Sequence, residues 1–254
     1  MNKKDFLNCM GEEDISLCSN IYDKILLSNK TLNTVYSNEF LTPNIWSKVQ
    51  KYCNKNGIVS DVSGGFDNAE RRIIRFNGSG SYYSIQIIKI TNKSKFCELL
   101  HKDYLGALMS LGVKREKFGD LIVEDNKCYL PVTKDILQYI FINLKVIGKS
   151  PCTVELLNDN ESIPGYNFKV NMHLASSKRI DVIISSITNL SRAKSQQYIK
   201  SGKVLIDYVT CYEKSEEVMS ANTITIRGYG KYKVGEIIGT TSSGRLKIEI
   251  KKYI

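Results

Sequence analysis

The stretch that most constrains the fold is Lys178–Asp207, KRIDVIISSITNLSRAKSQQYIKSGKVLID. Ile180, Ile183, Ile184 and Ile187 recur at helical spacing and give a first helix one apolar face. Asn189 and Leu190 lead into Ser191, a residue suited to cap a second helix. That helix turns Ser195, Tyr198 and Ile199 toward the first and stops at Gly202, after which Val204, Leu205 and Ile206 read as a strand. A helix–turn–helix–strand unit of about 30 residues follows. Its second helix opens with Arg192 and Lys194, whose charge opposes the helix dipole. They are either solvated surface charges or, together with the N–H groups of that turn, ligands of one phosphate.

The charge distribution points to a class of partner. The net charge is +10, and its distribution is uneven. From Asn167 onward there are 15 Lys and Arg against 7 Asp and Glu, whereas the first 166 residues hold 21 against 19. A basic last third is the footprint of a polyanion partner. No basic amphipathic helix with a broad apolar face points to a membrane instead, and no run approaches a membrane span. The start, MNKKDFLNCMGEED, does not read as a signal peptide, so the cytoplasm is expected. The seven cysteines show no C-x-x-C spacing and neither histidine lies near one, so reduced thiols and no zinc site are expected.

Ahead of the basic third, Asp14–Asn29 reads as a helix with Ile15, Cys18, Ile21, Tyr22, Ile25 and Leu26 on one face. A second helix is expected from about Asn44 to Asn54, then strands at GIVSDV and Arg71–Phe76 joined through Gly64 and Gly65. NGSGS is a turn or linker. From there YYSIQIIKI, FCELLHKDYLGALMSLG, DLIVED, KCYLPV, TKDILQYIFINL and CTVELL read as strand, helix, strand, strand, helix, strand. This is the split βαβ order. Tyr82, Tyr83 and Tyr129 fall on its strands, but outside any motif of base-stacking aromatics. Lys114, Arg115 and Lys117 form a basic loop, either solvated or in contact with nucleic acid. NDNESIPGYNFKVN connects to the last domain, with a short strand at FKVNM. There, Val209–Cys211 and Thr223–Arg227 read as strands, and KVGEIIGTTSSGRLKIEI as a hairpin. Arg227, Lys231 and Lys233, interleaved with Tyr229 and Tyr232, make a basic and aromatic edge suited to phosphates and exposed bases.

SRAKSQQYIKSGKV resembles the second helix and first strand of the αL RNA-binding motif, named after ribosomal small-subunit protein S-four, and RIDVII resembles its first helix. Asp207-Tyr208 and Ser220-Ala221-Asn222 depart from that motif's usual turns. GGF…AERR, HKDYLGALMSLGVKREKFGDLIV and TITIRGYGKYKVGEIIGTTSSGRLKIEI resemble the N-terminal, central and final parts of the bacterial YlmH family. The resemblance implies an α+β chain in three parts: an N-terminal α/β region over 1–77, a ferredoxin-like (βαββαβ) RNA-binding domain over 78–160 and an αL domain over 172–254. It also implies a non-catalytic protein that binds rRNA or tRNA on the large ribosomal subunit and assists quality control of stalled nascent chains, with a link to cell division.

The expected RNA-binding residues are Lys178, Arg179, Arg192, Lys194, Lys200, Lys203, Arg227, Tyr229, Lys231 and Lys233, with Lys114, Arg115 and Lys117 as a second set. No cofactor, metal, catalytic residue or membrane partner is expected, and the chain is taken as a monomer. Two alternatives stand beside this reading. One is a pseudouridine-synthase-type enzyme, because RIDV superficially resembles that enzyme's Arg-Leu-Asp nucleophile motif; in the helix reading Asp181 is a surface or capping acid. A methyltransferase would need a glycine-rich loop after a strand, which is not seen. The other is a division-associated scaffold that binds proteins.

Overall fold

A computed structural model describes residues 2–11, 13–78, 84–158 and 161–253. The chain is α+β and divides into two compact units, Met1–Gly165 and Tyr166–Ile254. No helix among the described residues is long and apolar enough to cross a membrane.

The first unit holds two apolar clusters. In one, helices α1 (Lys3–Met10), α2 (Ile15–Thr31) and α3 (Pro43–Lys55) pack on a three-stranded antiparallel sheet. Its strands are β1 (Val35–Tyr36), β2 (Ser60–Ser63) and β3 (Ile73–Phe76), in the order β1-β3-β2. Helix α1 was not expected. Asn2 caps it by accepting from the Lys4 N–H, and Phe6 and Met10, one turn apart, reach the core. The expected face of α2 is narrower than its sequence suggests: Cys18, Ile21, Tyr22 and Ile25 are buried, while Ile15 and Leu26 are exposed.

The other cluster belongs to a five-stranded antiparallel sheet, β5-β6-β4-β8-β7, with α4 and α5 on one face. Its elements are β4 (Ile85–Asn92), α4 (His101–Ser110), β5 (Ile122–Glu124), β6 (Lys127–Thr133), α5 (Lys134–Asn143), β7 (Val146–Ile147) and β8 (Ser150–Leu156). Helix α4 starts later than the apolar pattern predicts. The Asn92 amide donates to the Cys97 carbonyl and its oxygen accepts from the Ser94 N–H, which fixes residues 93–97 as a loop. Asp103 then accepts from the Leu100 N–H and marks the true start. Asp125 and Asn126 both take positive φ and form the tight β5–β6 turn.

The second unit is a six-stranded antiparallel sheet in the order β11-β10-β12-β13-β14-β9. Its strands are β9 (Phe168–Ala175), β10 (Val204–Ile206), β11 (Val209–Thr210), β12 (Thr223–Ile226), β13 (Gly230–Thr240) and β14 (Leu246–Tyr253). Helices α6 (Ile180–Thr188) and α7 (Arg192–Lys200) cover one face through Ile180, Ile183, Ile184 and Ile199, against Tyr232, Val234, Ile248 and Ile250. The strand expected at FKVNM is longer, eight residues, because it pairs along the whole of β14.

Candidate nucleic-acid interface

The candidate interface is organised by an acid. Asp181 lies in the first turn of α6 and its side chain is fully buried, so it is not the surface or capping acid expected from the sequence. Arg179 donates from Nε to Oδ1 at 3.1 Å and from Nη2 to Oδ2 at 3.3 Å. Arg192 Nε and Gln196 Nε2 donate to Oδ2 at 3.1 and 2.9 Å. Arg192 and Gln196 are four residues apart on α7, so both reach the same carboxylate. Burial by itself raises the Asp181 pKa, but hydrogen bonds from Arg179, Gln196 and Arg192, and the Arg192 charge, outweigh it and hold the carboxyl at about 2. The acid is therefore ionised at neutral pH and fixes two guanidinium groups at the surface. Arg192 remains 56% exposed, with its Nε engaged by Asp181.

Several of the expected residues lie at the surface of the same unit. Lys178, Lys194, Lys200, Lys203 and Arg227 are exposed. Ser191 caps α7 by accepting from the Lys194 N–H, which uses one of the turn's donors and leaves the first two N–H groups of the helix. Lys203 lies 5.1 Å from the Tyr198 ring, and that ring packs 5.8 Å from Tyr229. Tyr198 of α7, Lys203 ahead of β10 and Tyr229 of the β12–β13 turn thus meet in one cluster.

Lys231 and Lys233 lie away from the helices. Side chains alternate along a strand, and Tyr232 and Val234 point into the core beneath the helices. Lys231 and Lys233 therefore project from the opposite face of the sheet. There the Lys231 ammonium lies between the Tyr208 and Tyr253 rings, 4.9 and 4.7 Å from their centroids. The expected edge is divided: Tyr232 is buried and offers no stacking surface, and Tyr229 is half-buried.

In the first unit, the three basic loop residues differ in their engagements. Lys114 is exposed. Arg115 stacks 4.6 Å over the Phe118 ring and donates to the Phe118 and Gly119 carbonyls. Lys117 donates to Asp135 at 2.7 Å and more weakly to the Asn38 carbonyl. The sheet face opposite α4 and α5 is also filled. Tyr129 is 9% exposed, Pro131 meets Gly65, and Lys89 is paired with Glu161 at 2.6 Å. Tyr82 and Tyr83, the other aromatics considered there, lie outside the described residues.

Among the described residues there is no group of three His, Cys, Asp or Glu side chains able to hold a metal ion. The residues that sequence reasoning missed are Gln196, Tyr198, Tyr208 and Tyr253. Only Gln196 carries a sequence signal, its helical spacing from Arg192.

Comparison with known proteins gives the family. Residues 79–161 match the family model described as "Putative RNA-binding domain in YlmH". The chain is 30% identical over 196 residues to "Ribosome-associated protein quality control protein P2" of Bacillus subtilis (strain 168), covering 75% of this chain and 76% of that one. Its fold is similar to that of "Cell division protein ylmH from Streptococcus pneumoniae", with a TM-score of 0.52 and 18% identity over 61% of this chain and 96% of the other. With that identity over three quarters of both chains, and with the family model matched in the first unit, the protein belongs to the YlmH family.

Proposed function

We propose that the protein is a non-catalytic RNA-binding factor of the cytoplasm that engages rRNA or tRNA on the large ribosomal subunit during quality control of stalled nascent chains. The observation that carries this reading is the buried Asp181 carboxylate, which holds the Arg179 and Arg192 guanidinium groups in a unit whose Lys194, Lys203 and Arg227 are also exposed. Prepositioned guanidinium groups suit phosphate oxygens better than mobile lysines do. The second unit then acts as the αL domain. The order β5-β6-β4-β8 and the succession β4-α4-β5-β6-α5-β8 support a ferredoxin-like reading of residues 84–158. In this reading Lys114 and its neighbours add a second RNA contact, and the B. subtilis relative's printed name supports the ribosomal setting.

The environment of Asp181 weighs against the enzyme alternative. A nucleophilic carboxylate must reach substrate, whereas this one has no exposed surface and accepts four hydrogen bonds. The test is sedimentation of the tagged protein through a gradient, followed by mapping of crosslinked RNA. Comigration with large subunits and crosslinks from rRNA or tRNA to the α6–α7 side are expected. Comigration with membranes, or with no RNA, refutes the reading. Appearance of a modified nucleotide that vanishes with Asp181→Asn refutes the non-catalytic part.

A further inference from the structure

Between α6, the start of α7 and the tip of the β13–β14 hairpin lies an open groove of about 240 Å³. Its walls carry Arg192, Arg245, Ser176, Ser185 and Ser186 around Val182. Val182, Ser185 and Ser186 share one face of α6, and Leu246, next to Arg245, pairs with Ala175, next to Ser176. Two arginines 53 positions apart in sequence thus line one groove, with no acid in its lining. Asp181 anchors Arg192 through Nε. Arg245 is exposed, and its backbone is held in the tip by a hydrogen bond from its N–H to Thr241 Oγ1 and by the Thr241 N–H donating to its carbonyl. The Ser185 and Ser186 hydroxyls already donate to the Leu190 and Ile183 carbonyls. The donors left for a ligand are therefore the two guanidinium groups and Ser176. Two guanidinium groups in one groove lining, of which only Arg192 spends its Nε on a carboxylate, suit a small oxyanion.

We infer that this groove is a phosphate subsite in which Arg192 and Arg245 hold one phosphodiester of the bound RNA. The inference rests on the RNA-binding reading above and extends the footprint from the helices onto the terminal hairpin.

The test uses the full chain, a fluorescein-labelled RNA hairpin and binding curves at several salt concentrations. Arg245→Ala should melt like the wild type, bind more weakly, and lower the salt slope by about 0.7–0.9, the share of one phosphate. Arg245→Lys should keep the slope yet lose part of the affinity, since the ammonium lacks the bidentate fork. Combining Arg192→Lys with Arg245→Ala should cost less than the sum of the two, because both act on one ligand. Wild-type affinity and slope in Arg245→Ala, with weakened binding in Lys194→Ala, overturn the groove while the RNA-binding reading stands. Full additivity in the cycle overturns the shared phosphate. No RNA affinity in the wild type overturns both.

Discussion

Replacing Asp181 by Asn removes the charge that orders the α6–α7 clamp without changing its size. The folded carboxyl is held at about 2 against an ordinary 3.8. That difference corresponds to about 2 kcal/mol of stability tied to ionisation. A carboxyl depressed in the folded state stabilises the fold above its unfolded value, and the contribution is lost as pH falls from about 4 toward 2. The amide also brings an NH₂ donor against the Arg179, Arg192 and Gln196 donors, so the total loss at pH 7 should be about 2–4 kcal/mol. The assay is urea unfolding from pH 7 to pH 3, followed by circular dichroism. The only tryptophan, Trp46, belongs to the first unit, so its fluorescence serves as an internal control. The dichroism transition of the second unit should shift in the variant while the Trp46 transition stays in place. The gap between wild type and variant should narrow by about 1 kcal/mol at pH 3. A gap that is independent of pH, or one that appears equally in Trp46 fluorescence, refutes the clamp.

Three further outcomes are expected. Arg192→Ala should cost about 1–2 kcal/mol of stability because it unpairs part of a buried carboxylate, whereas Lys194→Ala should cost almost none; both should weaken RNA binding in filter assays, and the double variant should lose about two contacts of salt slope. A fragment over Tyr166–Ile254 should bind RNA but separate large subunits from bulk RNA poorly, and Lys114→Ala in the full chain should reduce the same affinity ratio; a start at Asn167 would remove Tyr166, whose ring packs 5.4 Å from Tyr253. Gly64→Ala would place a methyl 2.2 Å from the Ala69 Cβ and 2.7 Å from the Arg71 carbonyl, so Trp46-monitored melting should show a loss of about 1–3 kcal/mol, and an unchanged melting temperature would contradict this packing.

Features set within one turn or one strand were legible in the sequence. Isoleucine spacing gave α6 and Ser191 gave the cap of α7, because each depends on neighbours no more than a few residues away. Where the local signal was weak or contested, it misled. The polar segment Lys3–Met10 hid a helix with two core residues, and the Asn92 side chain overrode the apolar pattern ahead of His101.

The basic excess of the last third was a property of sequence, but its division between surfaces was not. Strand alternation says that Lys231 and Tyr232 face opposite ways; only the packing of α6 and α7 decides which face is covered. Asp181 is an ordinary helix-start acid until α7 folds back and brings Arg192 and Gln196 to it, which turns a solvated charge into a buried anchor. Arg245 gained its place beside Arg192 through the β9–β14 pairing, a contact between segments far apart in the chain. Periodicity and capping are short-range physics that the sequence determines alone. Charge burial and convergence at a site depend on long-range closure, which only the tertiary structure supplies.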